Sequence, residues 1–261
     1  MKANRKIDIN SDIGESFGVY QLGLDEQVVP HITSANVACG YHAGDPGVMR
    51  RTVSLAKKHG VEVGAHPGFP DLMGFGRRNM DATLEEIRDY VLYQMGALQA
   101  FAAYHGMKLQ HVKPHGSLYN MAFANPKIWE VIAEAVGRVD REIILVGLAS
   151  SRTEPLVEIG RRCGVRIAFE AFPDRAYAKD GSLVSRREKG SLIEDHQAVA
   201  ERAFRMALDG KVTAIDGTEI DIRADTLCVH GDNPGAVQMV KAIRERLAAA
   251  GIDVLPLKHF I

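Results

Sequence analysis

The chain is short of cysteine: it has Cys39, Cys163 and Cys228, an odd number set far apart. Such spacing fits neither a disulfide framework nor a paired-thiolate zinc site, and it agrees with a reducing compartment. No excess of charge exists either, since 32 Lys and Arg stand against 33 Asp and Glu, a formal net charge of −1. Without a basic field the chain lacks the electrostatic footprint of a nucleic-acid binder. No apolar run reaches the roughly eighteen residues a membrane helix needs. The amino terminus MKANRKIDIN has charges but no apolar stretch behind them, so a cytoplasmic location is expected. Also lacking are a GxxxxGK[ST] phosphate loop, a GxGxxG turn after a strand, and an HExxH pair.

What the chain does have is an average globular composition, 46% hydrophobic and 25% charged over 261 residues. That length makes one large domain or two small ones and permits a sizeable core. Short β-branched runs alternate with longer segments of helical period. The expected strands are Lys6–Asp12, Ser34–Gly40, Val61–His66, Lys108–His115, Glu142–Ala149, Val165–Phe172 and Thr226–His230. Helices are expected at Leu24–Ile32, from Asp45-Pro46 to Gly60, and over Thr83–His105, Pro126–Val139, Thr153–Cys163, Asp195–Leu208 and Pro234–Ala249. Asp45 suits a helix cap and Pro46 a first turn, while Lys57-Lys58-His59-Gly60 suits a helix end. Asp216-Gly217 between alternating apolar residues predicts a β-hairpin near 211–224.

With no linker or low-complexity tract in sight, the chain reads as a single domain over 1–261. Six or seven βα units of this length favour an α/β fold, a (β/α) TIM-like barrel with an irregular seven-stranded wall, over an open doubly wound sheet.

Barrel enzymes carry their reacting groups at the carboxyl ends of the strands. Here the predicted strand ends deliver Asn10 and Asp12; Cys39, His42 and Asp45; His66; Lys113 and His115; Glu170; and His230 and Asp232. Independent placement would scatter polar residues over both ends and the outer surface, so a shared site is the economical explanation. His59 and His105, each before a glycine at a helix end, read as structural, and His31, His111, His196 and His259 have no site-like neighbours. Cys39 is either a nucleophile or a small buried thiol, the second being the commoner case.

Asp12, Asp45 and Glu170 are carboxylates for base or metal roles, with helix capping the competing reading for Asp45. Two long segments, PGFPDLMGFGRRNMD and PDRAYAKDGSLVSRREKGS, read as active-site loops and carry Arg77, Arg78, Arg175, Lys179 and Arg186. Asp and His side chains on one rim also match the ligand types of zinc or manganese, so a divalent metal stays open.

The segments IDINSDIGESFG, ANVACGYHAGDP, VGAHPGFPDLMGFGRR, VKPHGSLYN, FEAFPDRAY and VHGDNP closely resemble the LamB/YcsF family, in order and spacing. The resemblance implies a barrel of the glycoside hydrolase/deacetylase type and hydrolysis of the lactam 5-oxoproline to glutamate, coupled to ATP. It further implies assembly with 5-oxoprolinase subunits B and C. On that basis Asp12, His42, His66, His115 and Glu170 are expected to be catalytic. Asn10, Asp45, Lys113, Arg175, His230 and Asp232 are expected to bind or orient substrate. Two rivals stay open on the residues alone: a metal-dependent deacetylase or amidohydrolase on a sugar or other amide, and a noncatalytic binding subunit.

Overall fold

The computed structural model describes residues 5–150, 153–185, 187–229 and 235–261. Strand β1 (Lys6–Ile13) leads to a short helix α1 (Asp25–Val28), then β2 (Ser34–Ala38), α2 (Pro46–His59), β3 (Glu62–His66) and α3 (Leu84–Tyr104). Next come β4 (Leu109–Val112), α4 (Gly116–Ala124), α5 (Pro126–Val139), β5 (Ile144–Leu148), α6 (Glu154–Cys163) and β6 (Arg166–Ala171). Helix α7 (His196–Leu208), the hairpin β7 (Lys211–Thr213) and β8 (Glu219–Asp221), β9 (Thr226–Cys228), α8 (Ala236–Ala249) and β10 (Asp253–Val254) complete the order.

Strands β1, β2, β3, β4, β5, β6 and β9 pair in parallel in that sequence, and β9 pairs back to β1. The result is a closed seven-stranded barrel, as the alternation of elements predicted. β10 pairs in parallel with the amino-terminal end of β1, at Lys6 and Ile7, and β7–β8 form the antiparallel excursion about Asp216-Gly217.

Local chemistry accounts for most boundaries. Asp45 accepts a hydrogen bond from the Val48 amide and caps α2, whose other end closes on Gly60 at φ 68°. Thr83 and Glu86 form a capping box at the start of α3. Three expectations need correction. The helix over Leu24–Ile32 is only α1 followed by a 3-10 turn, Val29–His31, because Pro30 supplies no amide donor. The fourth strand stops at Val112 rather than His115, just before Pro114. Helix α4, begun directly after His115, was hidden by its glycine start and weak amphipathic pattern.

The period-2 alternation of strands sorts the barrel wall. Ile7, Ile9 and Ile13 on β1 belong to the large core between strands and helices, with Val37 on β2, Val63 on β3 and Phe169 on β6. The alternate residues meet one another inside the barrel. Around β5 and β6 that interior is apolar: Ile144, Val146 and Ala168 pack with Leu257 from the carboxyl-terminal turn.

On the β1, β2, β4 and β9 side the interior is polar, a departure from the branched aliphatic layers usual in such barrels. Asp8 accepts from Ser34 Oγ at 2.6 Å and from the hydroxyls of Thr33 and Thr226. Asn36 donates to Asn10 Oδ1 at 2.7 Å, and His111 Nε2 meets Asn36 Oδ1 at 2.7 Å. Gly64 makes room for that imidazole, since a Cβ there would fall 2.2 Å from His111 Nε2. His111, which the sequence left without neighbours, is therefore a buried member of this column.

Candidate active site

The polar column rises to the carboxyl ends of the strands and ends in a group of ionisable side chains. Asp12 on β1 follows Asn10 by two residues and so points to the same side of the wall. Its Oδ1 accepts from Asn36 Nδ2 at 2.8 Å and from Lys113 Nζ at 2.8 Å. Lys113 Nζ also lies 2.7 Å from Glu170 Oε1 on β6, an ion-pair contact between two buried side chains. Burial opposes the Lys113 charge, but Asp12 and Glu170 outweigh it and raise its pKa well above the usual ammonium range. The neighbouring Cys228 thiol is pushed up by burial and stays neutral, so the carboxylates supply this attraction.

Beside this ion pair stand His42, His66 and His115. The backbone beyond β4 is held to the β3 side by hydrogen bonds from Lys113 N to Ala65 O and from His115 N to Pro67 O, at 2.9 and 2.8 Å. His66 Nδ1 sits 2.7 Å from the Lys113 carbonyl, and its Nε2 lies 3.3 Å from Asp12 Oδ2. His115 Nε2 sits 2.8 Å from the Phe75 carbonyl, and its Nδ1 lies 2.9 Å from His66 Nε2. The His42 and His115 rings stack at 3.6 Å, inclined by 3°. His42 Nε2 is 3.2 Å from Glu15 Oε1.

Burial lowers the pKa of His42 and His115 well below the imidazole norm, and neighbouring imidazoles add to the effect. Gly68 and Gly76 are required here, because a Cβ on either would press into His42 or His115 at 2.8 Å. Phe75, between them in sequence and at φ 54°, adopts a left-handed conformation rare for an aromatic residue. Its ring meets both His42 and His115 edge-on.

A cleft of about 860 Å³ opens over this centre, lined by Asp12, Glu15, His66, Lys113 and His115 at its base. Tyr119 and Asn120 from α4, Phe172 and Arg175 beyond β6, and Arg77 and Arg187 line its walls. Arg175 Nη2 donates to the Val184 carbonyl at 2.6 Å, which fixes the guanidinium in the wall.

The structure thus brings Asp12, His42, His66, Lys113, His115 and Glu170 into one group, with Arg175 on its rim. Asn10 lies below them, donating to Thr226 Oγ1 at 2.6 Å and accepting from Asn36. Asp45 does not join: its carboxylate caps α2 and accepts from Gly18 N at 2.8 Å. Cys39 is a buried thiol donating to the Val37 carbonyl at 3.1 Å, with its pKa pushed up by burial to about 12. His230, Asp232 and Arg186 lie outside the described residues.

Sequence reasoning missed Glu15 and Tyr119. Glu15 follows Asp12 by three residues across the turn at Gly14, φ 70°, a spacing that could have signalled it. Tyr119 rides on the unforeseen α4, where burial and then Glu170 raise its phenol pKa well above normal.

A closed parallel barrel with a convergent ionisable centre at the carboxyl ends of its strands is the layout of a barrel enzyme. The chain belongs to the LamB/YcsF family, whose sequence profile matches residues 7–261. It is 56% identical over 256 residues to a Pyrococcus furiosus protein named as the A subunit of 5-oxoprolinase, covering 98% of this chain and 99% of that one. An Alkaliphilus metalliredigens protein of the same name is 54% identical, covering 97% of both chains. Among solved structures, the lactam utilization protein of Thermus thermophilus superposes with a TM-score of 0.89 at 49% identity, covering 96% of this chain and 99% of that one.

Proposed function

We propose that the chain is the A subunit of an ATP-dependent 5-oxoprolinase, which opens the lactam of 5-oxoproline to glutamate in a cytoplasmic complex with subunits B and C. Kinship at 50% identity or more across nearly the whole chain to proteins named as the A subunit of 5-oxoprolinase supports the reaction. The observation that carries the site is the position of Lys113 between Asp12 and Glu170 at the base of the cleft, next to His66.

An amide carbonyl is deactivated by resonance, and a five-membered lactam has little tendency to open. Coupling to ATP meets this difficulty. Transfer of the terminal phosphoryl group to the lactam oxygen makes the ring carbon electrophilic and gives ADP. Addition of water breaks the C–N bond, and hydrolysis of the acyl phosphate releases glutamate and inorganic phosphate, so one ATP and two waters are consumed.

The site needs cations for anionic groups, donors for developing oxyanion charge and a base for water. Lys113 and Arg175 take the anionic groups. Asp12 is the base, because it lines the cleft and its Oδ1 is already held by Lys113 and Asn36, leaving Oδ2 toward His66. Glu170 is fully buried and balances Lys113. His42, His66 and His115 move protons or stabilise oxygen, and Asn10, through Lys113, positions the ammonium. His230 and Asp232 are assigned an orienting role on sequence grounds.

With no phosphate loop in its sequence, this subunit receives substrate activated with the help of its partners. Turnover of 5-oxoproline with ATP, measured with the chain alone and with subunits B and C added, tests this. Glutamate should form only in the mixture, and turnover by the chain alone would contradict it.

A further inference from the structure

The hydrogen bonds around His66 and His115 fix where their protons are. A carbonyl oxygen only accepts, so the contact of His66 Nδ1 with Lys113 O places the proton on Nδ1, and the contact of His115 Nε2 with Phe75 O places it on Nε2. In the neutral rings the remaining nitrogens, His66 Nε2 and His115 Nδ1, carry lone pairs, and these face each other at 2.9 Å. Carboxylate oxygens crowd the same point: Glu15 Oε1 is 3.7 Å from His115 Nδ1, and Asp12 Oδ2 is 3.3 Å from His66 Nε2. Glu15 Oε1 also lies 3.2 Å from His42 Nε2, whose tautomer no carbonyl fixes. Acceptors meeting acceptors in a buried place repel one another unless a positive centre stands between them.

We infer that Glu15, His42, His66 and His115 form a binding site for one divalent transition metal of the zinc class. Their four ligand atoms lie within 4.8 Å of one another. A tetrahedral shell with metal–nitrogen bonds near 2.0–2.1 Å separates neighbouring ligand atoms by about 3.3 Å, so the 3.2 and 3.7 Å contacts of Glu15 match its edges. Three imidazoles select zinc, cobalt or iron over magnesium and calcium, which take oxygen shells.

The backbone carbonyls of Lys113 and Phe75 are the outer partners that orient metal-bound imidazoles elsewhere, each fixing a tautomer through the far ring nitrogen. The strained Phe75 backbone acquires a purpose on this reading, since it aims one of those carbonyls. Bound next to Asp12 at the base of the cleft, such an ion would supply Lewis acidity for a carbonyl or phosphoryl oxygen, and the three imidazoles would then stabilise that oxygen through the ion rather than carry protons. The inference rests on the geometry of these four residues and does not depend on the identity of the substrate.

The competing account is a proton shared between His66 and His115, and metal binding separates the two. The purified chain, stripped by chelator and dialysed, is titrated with zinc by calorimetry and with cobalt(II) by visible absorption. The site predicts one equivalent of either ion and the intense bands of low-coordinate cobalt. The isosteric Glu15→Gln and the truncation His66→Ala should each weaken zinc at least tenfold, while His59→Ala, at the end of α2, should leave it unchanged. Circular dichroism of the variants establishes that they fold. Absence of stoichiometric binding by the folded wild-type chain, or the same affinity in folded Glu15→Gln, would overturn the inference and leave the proton account.

Discussion

Lys113 holds Glu170 inside the barrel: the ammonium is 2.7 Å from Oε1, and neither side chain reaches solvent to any useful extent. Removing one partner of a buried ion pair leaves an uncompensated charge, which costs about 3–5 kcal/mol. Lys113→Met strands both Glu170 and Asp12. The variant should lose about that much stability in denaturant unfolding, and a double variant Lys113→Met/Glu170→Gln should recover part of it. A single variant as stable as wild type would mean that the pair does not hold the barrel together.

Cys39 is sealed away from chemistry despite its place in the chain. It stands at a strand end three residues before His42, yet its thiol is buried and its pKa is raised to about 12. A thiolate is the reactive form, so this sulfur is inert near neutrality. Cys39→Ala should leave turnover of the assembled enzyme unchanged, and the native chain should resist alkylation at this position. Loss of turnover in a folded Cys39→Ala variant would restore the nucleophile.

Asp8 couples the polar column to pH. Burial, opposed by hydrogen bonds from Ser34, Thr226 and Thr33, raises its pKa from 3.8 to about 6. Between those values the folded chain keeps the proton that the unfolded chain has released, so stability falls as pH rises. The contribution is fully present below pH 3.8 and is lost as pH passes through about 6. Its size is about 3 kcal/mol at 1.36 kcal/mol per unit. The stability of wild type relative to Asp8→Asn should therefore drop by about that amount across the window, measured by urea unfolding at successive pH values. A constant difference would show that Asp8 is not perturbed.

The sequence made the barrel legible because each strand and helix carries its own period and its own caps. Asp45-Pro46, Thr83 with Glu86, and Asp216-Gly217 mark their elements by local chemistry alone. The convergence of His42, His66, His115, Lys113 and Glu170 was readable once the carboxyl ends of parallel strands were known to share one rim. What the sequence hid depends on contacts between distant residues. Glu15 enters the centre through a glycine turn, α4 starts without an amphipathic signal, and His111 is accommodated by a missing side chain at Gly64 on another strand. Asp45, equally acidic and close in sequence to His42, is turned away by its capping role.

Side chains from different strands should act as one centre, and a double-mutant cycle on Asp12 and His115 in the complete complex with its partners reads out that coupling. With kcat for glutamate formation as the readout, Asp12→Asn and His115→Asn should each cost about a hundredfold or more, and the double variant should lose little beyond the worse single one, as residues acting as a unit do. Strictly multiplicative losses, or full activity in either folded single variant, would contradict the account.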